Sequence, residues 1–428
     1  MDGTAVMNVF ATVGRMFRGA LWRDTNFLRF WFGQTVSEVG TAVTQLALPT
    51  LAIELLGARA FQVGILTALQ MLAYPLLSMV AGVWADRLHR RPILIACDCA
   101  RLVVLASIPL AYAMGVLTMA QTYVVALVVG ICSVFFDVAY QSYLPSLVRR
   151  EDLVEGNGKL TATGYVAQVI GPALAGFLIQ ALRAPLAILA DSLSYVASAV
   201  SVATIGRPEP PPEPGGAAGS GFGVELSEGV RAVFGHRMLR ALMSAGATAN
   251  LGVSLIEAVI LVFAYTRLHL TPAQVGIIYG LASLTAVVGS SVAGRIADTI
   301  GLGRTMTIGL LFLRSGYLLC PLALVFHPAL VLGGIIIVTR FFEPIFNVNS
   351  ISLRQAVIRN RIQGRANAVY RTFSWGAIPI GAFLGGILGT DIGLVPTLTV
   401  GAVIATLSAI WLLAGPLRTS QRTAVDGG

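Results

Sequence analysis

The chain alternates long apolar runs with short polar connections, from Leu28 to Leu417. Most runs hold about 18 to 25 residues, the length a helix needs to cross about 30 Å of hydrocarbon at about 1.5 Å per residue. A backbone in lipid must satisfy its own hydrogen bonds, so spanning helices are expected, not strands. The pattern predicts twelve of them, over residues 28–55, 62–84, 92–114, 119–144, 159–181, 185–206, 241–265, 273–297, 304–326, 329–351, 367–389 and 393–416.

One stretch interrupts this rhythm. Residues 207–223 are polar and rich in Pro and Gly, including Glu209-Pro210-Pro211-Pro212-Glu213-Pro214, the composition of a flexible linker. Val224–Leu239 then has helical spacing with mixed charges, as expected of a helix on the membrane surface. The division that follows is a basic amphipathic segment (1–27), a first six-helix bundle (28–206), a linker with a surface helix (207–240), a second six-helix bundle (241–416) and a tail (417–428). Arg15 and Arg18 interrupt the apolar residues near Phe10 to Phe17, so no cleavable signal peptide is expected. The two bundles repeat each other faintly. Gly82-Val83-Trp84-Ala85-Asp86 matches Gly294-Arg295-Ile296-Ala297-Asp298 at an offset of 212 (82 to 294), and Gly156-Asn157-Gly158 lies at an offset of 210 from Ala366-Asn367-Ala368. Such a repeat marks a duplicated membrane unit and predicts two pseudo-symmetric halves.

Composition agrees with a lipid solvent, since 56% of residues are hydrophobic and only 11% charged. The 46 glycines fit helices that pack through small residues. The net charge of +9 could point to nucleic acid, but the basic residues are sorted by connection. Arg23, Arg87, Arg90, Arg91, Arg149, Arg150, Arg207, Arg295, Arg304 and Arg354 fall on one set of alternate connections, and Arg59, Arg183 and Arg267 on the other. The positive-inside rule then places both termini in the cytoplasm, with no nucleic-acid partner. Cys97, Cys99, Cys132 and Cys320 lie inside apolar spans without metal or redox spacing and are expected to be buried hydrophobes; no metal site is expected. A single lysine, Lys159, among 29 basic residues points to a GC-rich bacterial genome and hence a bacterial plasma membrane.

Gly82-x-x-x-Asp86-Arg87-x-x-Arg90-Arg91 lies between spans two and three. It resembles the signature of the major facilitator superfamily at that connection, with His89 where the family has Gly. The resemblance implies that Gly82 allows close helix approach and that Asp86 latches the halves, taking bonds from a helix N-terminus and nearby arginines. Asp98 and Arg101, three apart in span three, are expected to extend that network as structural or switching residues, with Arg314 at roughly the repeat position of Arg101. Span five carries Gly158-(x8)-Ala167-(x3)-Gly171-Pro172-x-x-Ala175-Gly176, similar to the motif of antiporting exporters, two of whose glycines are Ala here. Further stretches, Gly33-Gln34-Thr35-Val36-Ser37, Leu144-Pro145-Ser146-Leu147-Val148, Asp191-Ser192-Leu193-Ser194-Tyr195, Leu353-Arg354-Gln355, Gly364-Arg365 and Trp375-Gly376, resemble the third drug:proton antiporter subfamily, which includes macrolide-efflux and enterobactin-exporter-like proteins. Arg340-Phe341-Phe342-Glu343 departs from that pattern, where small residues are expected.

An ionisable group at mid-membrane costs about 2.5–3.5 kcal/mol even on lenient scales, so each one needs a reason. Glu38, Asp137, Glu257 and Glu343 fall in spans one, four, seven and ten, which by the resemblance line a central cavity. Helical spacing groups Gln34, Glu38, Thr41 and Gln45 on one face, Asn250, Ser254 and Glu257 on another, and Arg340, Glu343, Asn347 and Ser350 on a third. Glu38 and Glu343 stand about 14–16 Å from the inner boundary. Glu38 and Glu257 have no basic neighbour on their own helices. Arg340 and Glu343, at i,i+3, form a fixed pair or belong to the site; the second is expected because Asn347 and Ser350 continue their face. Asp191 is expected to be a scaffold residue. Arg371 and Trp375 offer a cation and a ring, and Phe341, Phe342 and Phe346 apolar surface.

These readings predict proton-coupled efflux of small amphiphilic molecules, cationic or zwitterionic, by a monomer in alternating access. The proton is the coupling ion and no cofactor or enzymatic activity is expected. The rivals are a siderophore- or metabolite-specific exporter or importer of the same fold and a non-transporting receptor.

Overall fold

The computed structural model describes residues 20–209, 222–358 and 363–415. Of the expected N-terminal amphipathic segment, residues 20–27 fall within the described residues, as a 3-10 turn at Ala20–Arg23 and the start of the first long helix at Thr25, and the tail lies outside them.

Every regular element among these residues is helical. The first half comprises Thr25–Glu54 (α1), Ala60–Arg87 (α2), Arg90–Ala113 (α3), Met119–Leu147 (α4), Leu153–Leu182 (α5) and Ala184–Ala203 (α6). The surface helix Phe222–Gly235 (α7) leads to the second half: Arg237–Thr266 (α8), Pro272–Ile300 (α9), Leu302–Arg314 (α10), Pro328–Val357 (α11), Gln363–Asp391 (α12) and Leu394–Leu407 (α13). Among the described residues, 12 helices are long and apolar enough to span a membrane.

The helices overrun the predicted apolar runs. The 30 residues of α1, α5, α8 and α11 make rods of about 45 Å, longer than the hydrocarbon layer. Hydropathy falls at the interface, but helix propagation continues through polar residues that can reach water. Thus α5 starts at Leu153, not at residue 159, and α8 at Arg237, directly after the break at His236 that ends the surface helix. Asp24 starts α1 by accepting the backbone N–H groups of Asn26 and Phe27 at 2.9 and 3.2 Å. The ninth span changes character midway: α10 stops at Arg314 and continues as a 3-10 helix, Ser315–Leu324.

Buried apolar residues reveal how the halves meet. One cluster is shared by both and includes Leu46, Leu51, Leu66, Ile256, Phe263 and Leu398. Phe27, Phe30, Leu94 and Tyr143 anchor a second cluster within the first half, and Leu242, Met306, Leu310 and Phe346 a third within the second half. The shared core lies at the end of the bundle that holds the α1–α2, α5–α6, α8–α9 and α12–α13 connections. The separate cores lie toward the linker.

Glycines build the seam at the shared end. A Cβ added at Gly64 of α2 would come within 2.7 Å of the Gly386 Cα of α12, and one at Gly176 of α5 within 2.9 Å of the Gly276 Cα of α9. Helix backbones approach this closely only where both partners lack side chains. Polar contacts cross here as well: Thr50 and Tyr265 share a 3.0 Å hydroxyl hydrogen bond, the Phe61 N–H donates to Thr390 Oγ1 at 3.2 Å, and the Ala273 N–H to Gln180 Oε1 at 3.3 Å. The α2–α12 contact runs as far as Pro75 and Gly376, where an added Cβ would be 3.9 Å away. Beyond it the seam opens, and a Cβ at Gly82, Gly158, Gly164 or Gly294 would meet nothing within 4 Å. The halves are therefore closed at one face and parted at the face of the linker.

In this open state Gly82 makes no close helix approach, because the helix ends around it have separated. Nor are all four cysteines buried: Cys97 and Cys320 are, but Cys132 is only partly buried against the first half's core and Cys99 is exposed.

Candidate functional site

The parted halves leave a central cavity with walls of different chemistry. In the first half, Glu38, Gln45 and Asp137 are exposed toward it. Gln34 is buried at 3% exposure and Thr41 is half-buried, its hydroxyl sharing a 2.9 Å hydrogen bond with Tyr195 of α6. The expected single face of α1 is thus divided. Winding at about 100° per residue puts Glu38 and Gln45 toward one edge of that stripe and Gln34 and Thr41 toward the other, where α6 covers them. Asp191 is also buried and accepts from Ser194 at 3.1 Å.

Among the described residues, neither Glu38 nor Asp137 belongs to an ion pair. Asp137 accepts a 2.8 Å hydrogen bond from the Tyr74 hydroxyl of α2. Behind this wall, Arg101 and Asp98 are buried and joined at 2.6 Å. The Arg101 guanidinium lies between the rings of Phe136 and Tyr195, at 4.2 and 4.4 Å from their centroids. The pair is sealed within its half.

The second half pairs its acids. Glu343 lies 3.0 Å from Arg340 and 3.4 Å from Arg314, and Glu257 lies 3.8 and 3.9 Å from the same two guanidinium groups. Glu343 and Arg340 are each about one-third exposed and Glu257 40%, whereas the Arg314 side chain is 2% exposed. Two acids and two bases cancel. Glu257 has no basic neighbour on its own helix, yet it is not free, because its partners come from other helices, α10 and α11. Arg340 and Glu343 are paired, yet they also face the cavity. Arg314 holds roughly the repeat position of Arg101, and both arginines are buried cations within their halves.

Other residues expected at the site turn away from it. The Asn250 amide donates to the Ser374 carbonyl at 2.8 Å, and Ser254 is buried where Gly381 of α12 packs. Asn347 is exposed, but Ser350 is buried 3.5 Å from the Tyr370 hydroxyl, and Phe346 belongs to the second half's core. Phe342 stacks on Phe312 of α10 at 5.0 Å, with Phe341 edge-on to it. Packing against α9, α10 and α12 claims these side chains, since the apolar stripe of each helix is wider than its cavity face.

Arg371 and Trp375 are exposed in the cavity and engage each other, with the guanidinium 4.3 Å from the ring centroid. Trp375 also meets Tyr74 edge-on at 6.0 Å. Asp137, Tyr74, Trp375 and Arg371 therefore form a chain of contacts from one half to the other. Nothing in the sequence singled out Tyr74.

At the linker face, the N-terminus of α3 is occupied by Glu209, which accepts from the Arg90 and Arg91 backbone N–H groups at 2.6 and 3.1 Å. Glu209 stands at the root of the linker, which ties that helix start to the linker. Arg87 is exposed, and the Asp86 side chain lies outside the described residues. Of the span-five motif, Gly171 lets α1 approach at Ala42, while Pro172 and Gly176 face Gly276 across the seam.

Twelve spans in two halves, closed at one face around a cavity walled by charged and aromatic groups, define a multi-pass membrane transporter of the major facilitator type. The chain belongs to the transmembrane secretion effector family, whose model matches residues 19–426. It is 24% identical over 304 residues to an uncharacterized MFS-type transporter of Sinorhizobium fredii, a match covering 70% of this chain and 68% of that one. Solved structures share the fold. A point mutant of the nucleoside transporter NupG is 16% identical with a TM-score of 0.71, covering 91% of this chain and 98% of its own. A bacterial homologue of the iron transporter ferroportin in the inward-facing state gives 0.71 at 16% identity, over 92% of this chain and 99% of its own. A bacterial homologue of the human lysosomal transporter Spinster, also inward-facing, gives 0.68 at 13% identity over 93% and 96%.

Proposed function

We propose that the protein exports small amphiphilic cations or zwitterions in exchange for protons, as a monomer in a bacterial plasma membrane with both termini cytoplasmic. One observation carries this reading: the cavity acids divide into a free set and a neutralised set. Among the described residues, Glu38 and Asp137 face the opening without ion-pair partners, whereas Glu257 and Glu343 share Arg314 and Arg340. A carboxylate without a fixed counter-ion can hold either a proton or the cationic end of a substrate, and a group that takes both in turn couples their exchange. Arg371 and Trp375 on the opposite wall offer a cation and a ring to an anionic or aromatic end.

The face that is open carries most of the arginines, so the positive-inside rule makes this the cytoplasmic-open state, ready to load substrate. The inward-facing neighbours are in keeping with that assignment. Gly171, Pro172 and Gly176 support export only through their likeness to the exporter motif.

Everted membrane vesicles from cells making the protein test the reading. With the interior acidified, cationic amphiphilic dyes should accumulate, and a protonophore should abolish the accumulation. Uptake that ignores the proton gradient removes proton coupling, and gradient-driven loss of dye from the vesicles makes the protein an importer.

A further inference from the structure

Tyr74 sits where three features coincide. Its hydroxyl donates to Asp137 of α4 at 2.8 Å, its ring meets Trp375 of α12 at 6.0 Å, and Pro75 next to it meets Gly376 of α12, the glycine contact of the α2–α12 seam nearest the parted face. The residue therefore touches a cavity carboxylate, the other half and the fulcrum. We propose that Tyr74 is a positioning residue that converts the charge of Asp137 into the packing of the seam between the halves. The inference rests on the proton-exchange reading and adds the element through which a proton at Asp137 moves the halves.

The physical step is a change in one hydrogen bond. With Asp137 ionised, the Tyr74 hydroxyl donates to a full negative charge, and such a bond is roughly twice as strong as a neutral one. That bond fixes the phenol ring and, through its edge contact, the orientation of Trp375, on which Arg371 is stacked. With Asp137 protonated, the bond weakens to the neutral kind, the ring loses its anchor, and α2 is released to pack along α12 below Pro75. The ionised form thus favours the state seen here, open at the linker face. An exchanger needs this sign: it must lose its proton inward before taking up substrate there.

Asp137 is not alone in its surroundings. Within electrostatic range are Glu38 of α1, Tyr74 of α2, Arg101 of α3, Tyr140 of its own helix and Arg371 of α12. Any of these can give the conformational equilibrium a pH dependence, so the test must isolate the Tyr74–Asp137 bond.

Spin labels at Leu88, at the end of α2, and His236, before α8, report the separation of the halves at the linker face, where both residues are exposed. The full chain, with its four cysteines replaced by alanine and its thermal stability matched to that of the unsubstituted chain, is reconstituted in lipid nanodiscs and titrated. Tyr74→Phe should lower the ratio of open to closed populations about tenfold where Asp137 is ionised and about threefold or less where it is protonated. In an Asp137→Asn background the same substitution should have only the smaller effect, at every pH. Asp137→Asn alone reads the coupling from the other partner and should remove the part of the pH dependence that Tyr74→Phe removes. A Tyr74→Phe effect of equal size at all pH values and in both backgrounds would mean that the ring is only a packing element and would overturn the proposal, as would no effect. If the labels show the coupling but vesicles show no proton-driven flux, exchange is refuted and the relay stands. If flux is proton-driven and the labels show no coupling, the relay alone falls.

Discussion

Replacing Glu343 should destabilise the second half far more than replacing Glu257, although both acids face the same two arginines. Glu343→Gln removes the charge that lies 3.0 Å from Arg340 and 3.4 Å from Arg314, and Arg314 is 2% exposed. Breaking a buried ion pair by removing one partner costs about 3–5 kcal/mol, because the other charge stays behind unsolvated. Glu343 is itself about one-third exposed and glutamine keeps an acceptor oxygen, which reduces the expected loss to about 2–3 kcal/mol. Glu257 lies beyond hydrogen-bonding distance, at 3.8 and 3.9 Å, with its side chain 40% exposed, so Glu257→Gln should cost about 1 kcal/mol or less. Removing Arg314 and Glu343 together, as Arg314→Met with Glu343→Met, leaves the neutral pair Arg340 and Glu257 and should recover most of the loss. Thermal unfolding of the purified variants in one detergent gives the ranking directly. Equal costs for the two single acids, or a double variant no more stable than Glu343→Gln, would refute the description of Arg314 as a buried cation that depends on Glu343.

Gly176→Val places a branched side chain against the Gly276 Cα, which an added Cβ alone approaches to 2.9 Å. It should wedge the closed face open, shortening the Leu88–His236 label distance and abolishing flux. Gly82→Leu meets nothing within 4 Å in this state, so it should leave thermal stability within about 0.5 kcal/mol of wild type. It should nonetheless slow transport by blocking closure of the linker face, and full transport activity in Gly82→Leu would show that α2 never packs closely there. If one proton exchanges for one substrate, a monovalent cation moves no net charge and a zwitterion moves one. Membrane potential should then drive zwitterion export by about 2.3 kcal/mol per 100 mV and leave cation export unchanged, as flux under potassium-diffusion potentials will show.

The architecture was legible in the sequence because lipid imposes one requirement on every span. A helix of about 20 apolar residues is the only open-chain solution, so hydropathy alone gave twelve spans, and the linker at residues 207–223 divided them into halves. The intramembrane charges were equally visible, since each is an expensive exception in an apolar run. Their pairing was not. Periodicity assigns a residue to a face of its own helix but says nothing of which helix covers that face, so Thr41 and Ser254 were grouped with the cavity although α6 and α12 bury them. Arg314 illustrates the same limit, because its partners Glu257 and Glu343 lie 57 and 29 positions away in the chain (257 to 314, 314 to 343) and meet it only through the packing of α8, α10 and α11. Tyr74 left no trace at all, being one aromatic residue in an apolar span. The sequence by itself determined which residues cross the membrane and which of them are costly there. Only the tertiary structure decided which acids are neutralised, which remain free and at which face the halves have parted, because those outcomes depend on distances between helices that no local pattern encodes.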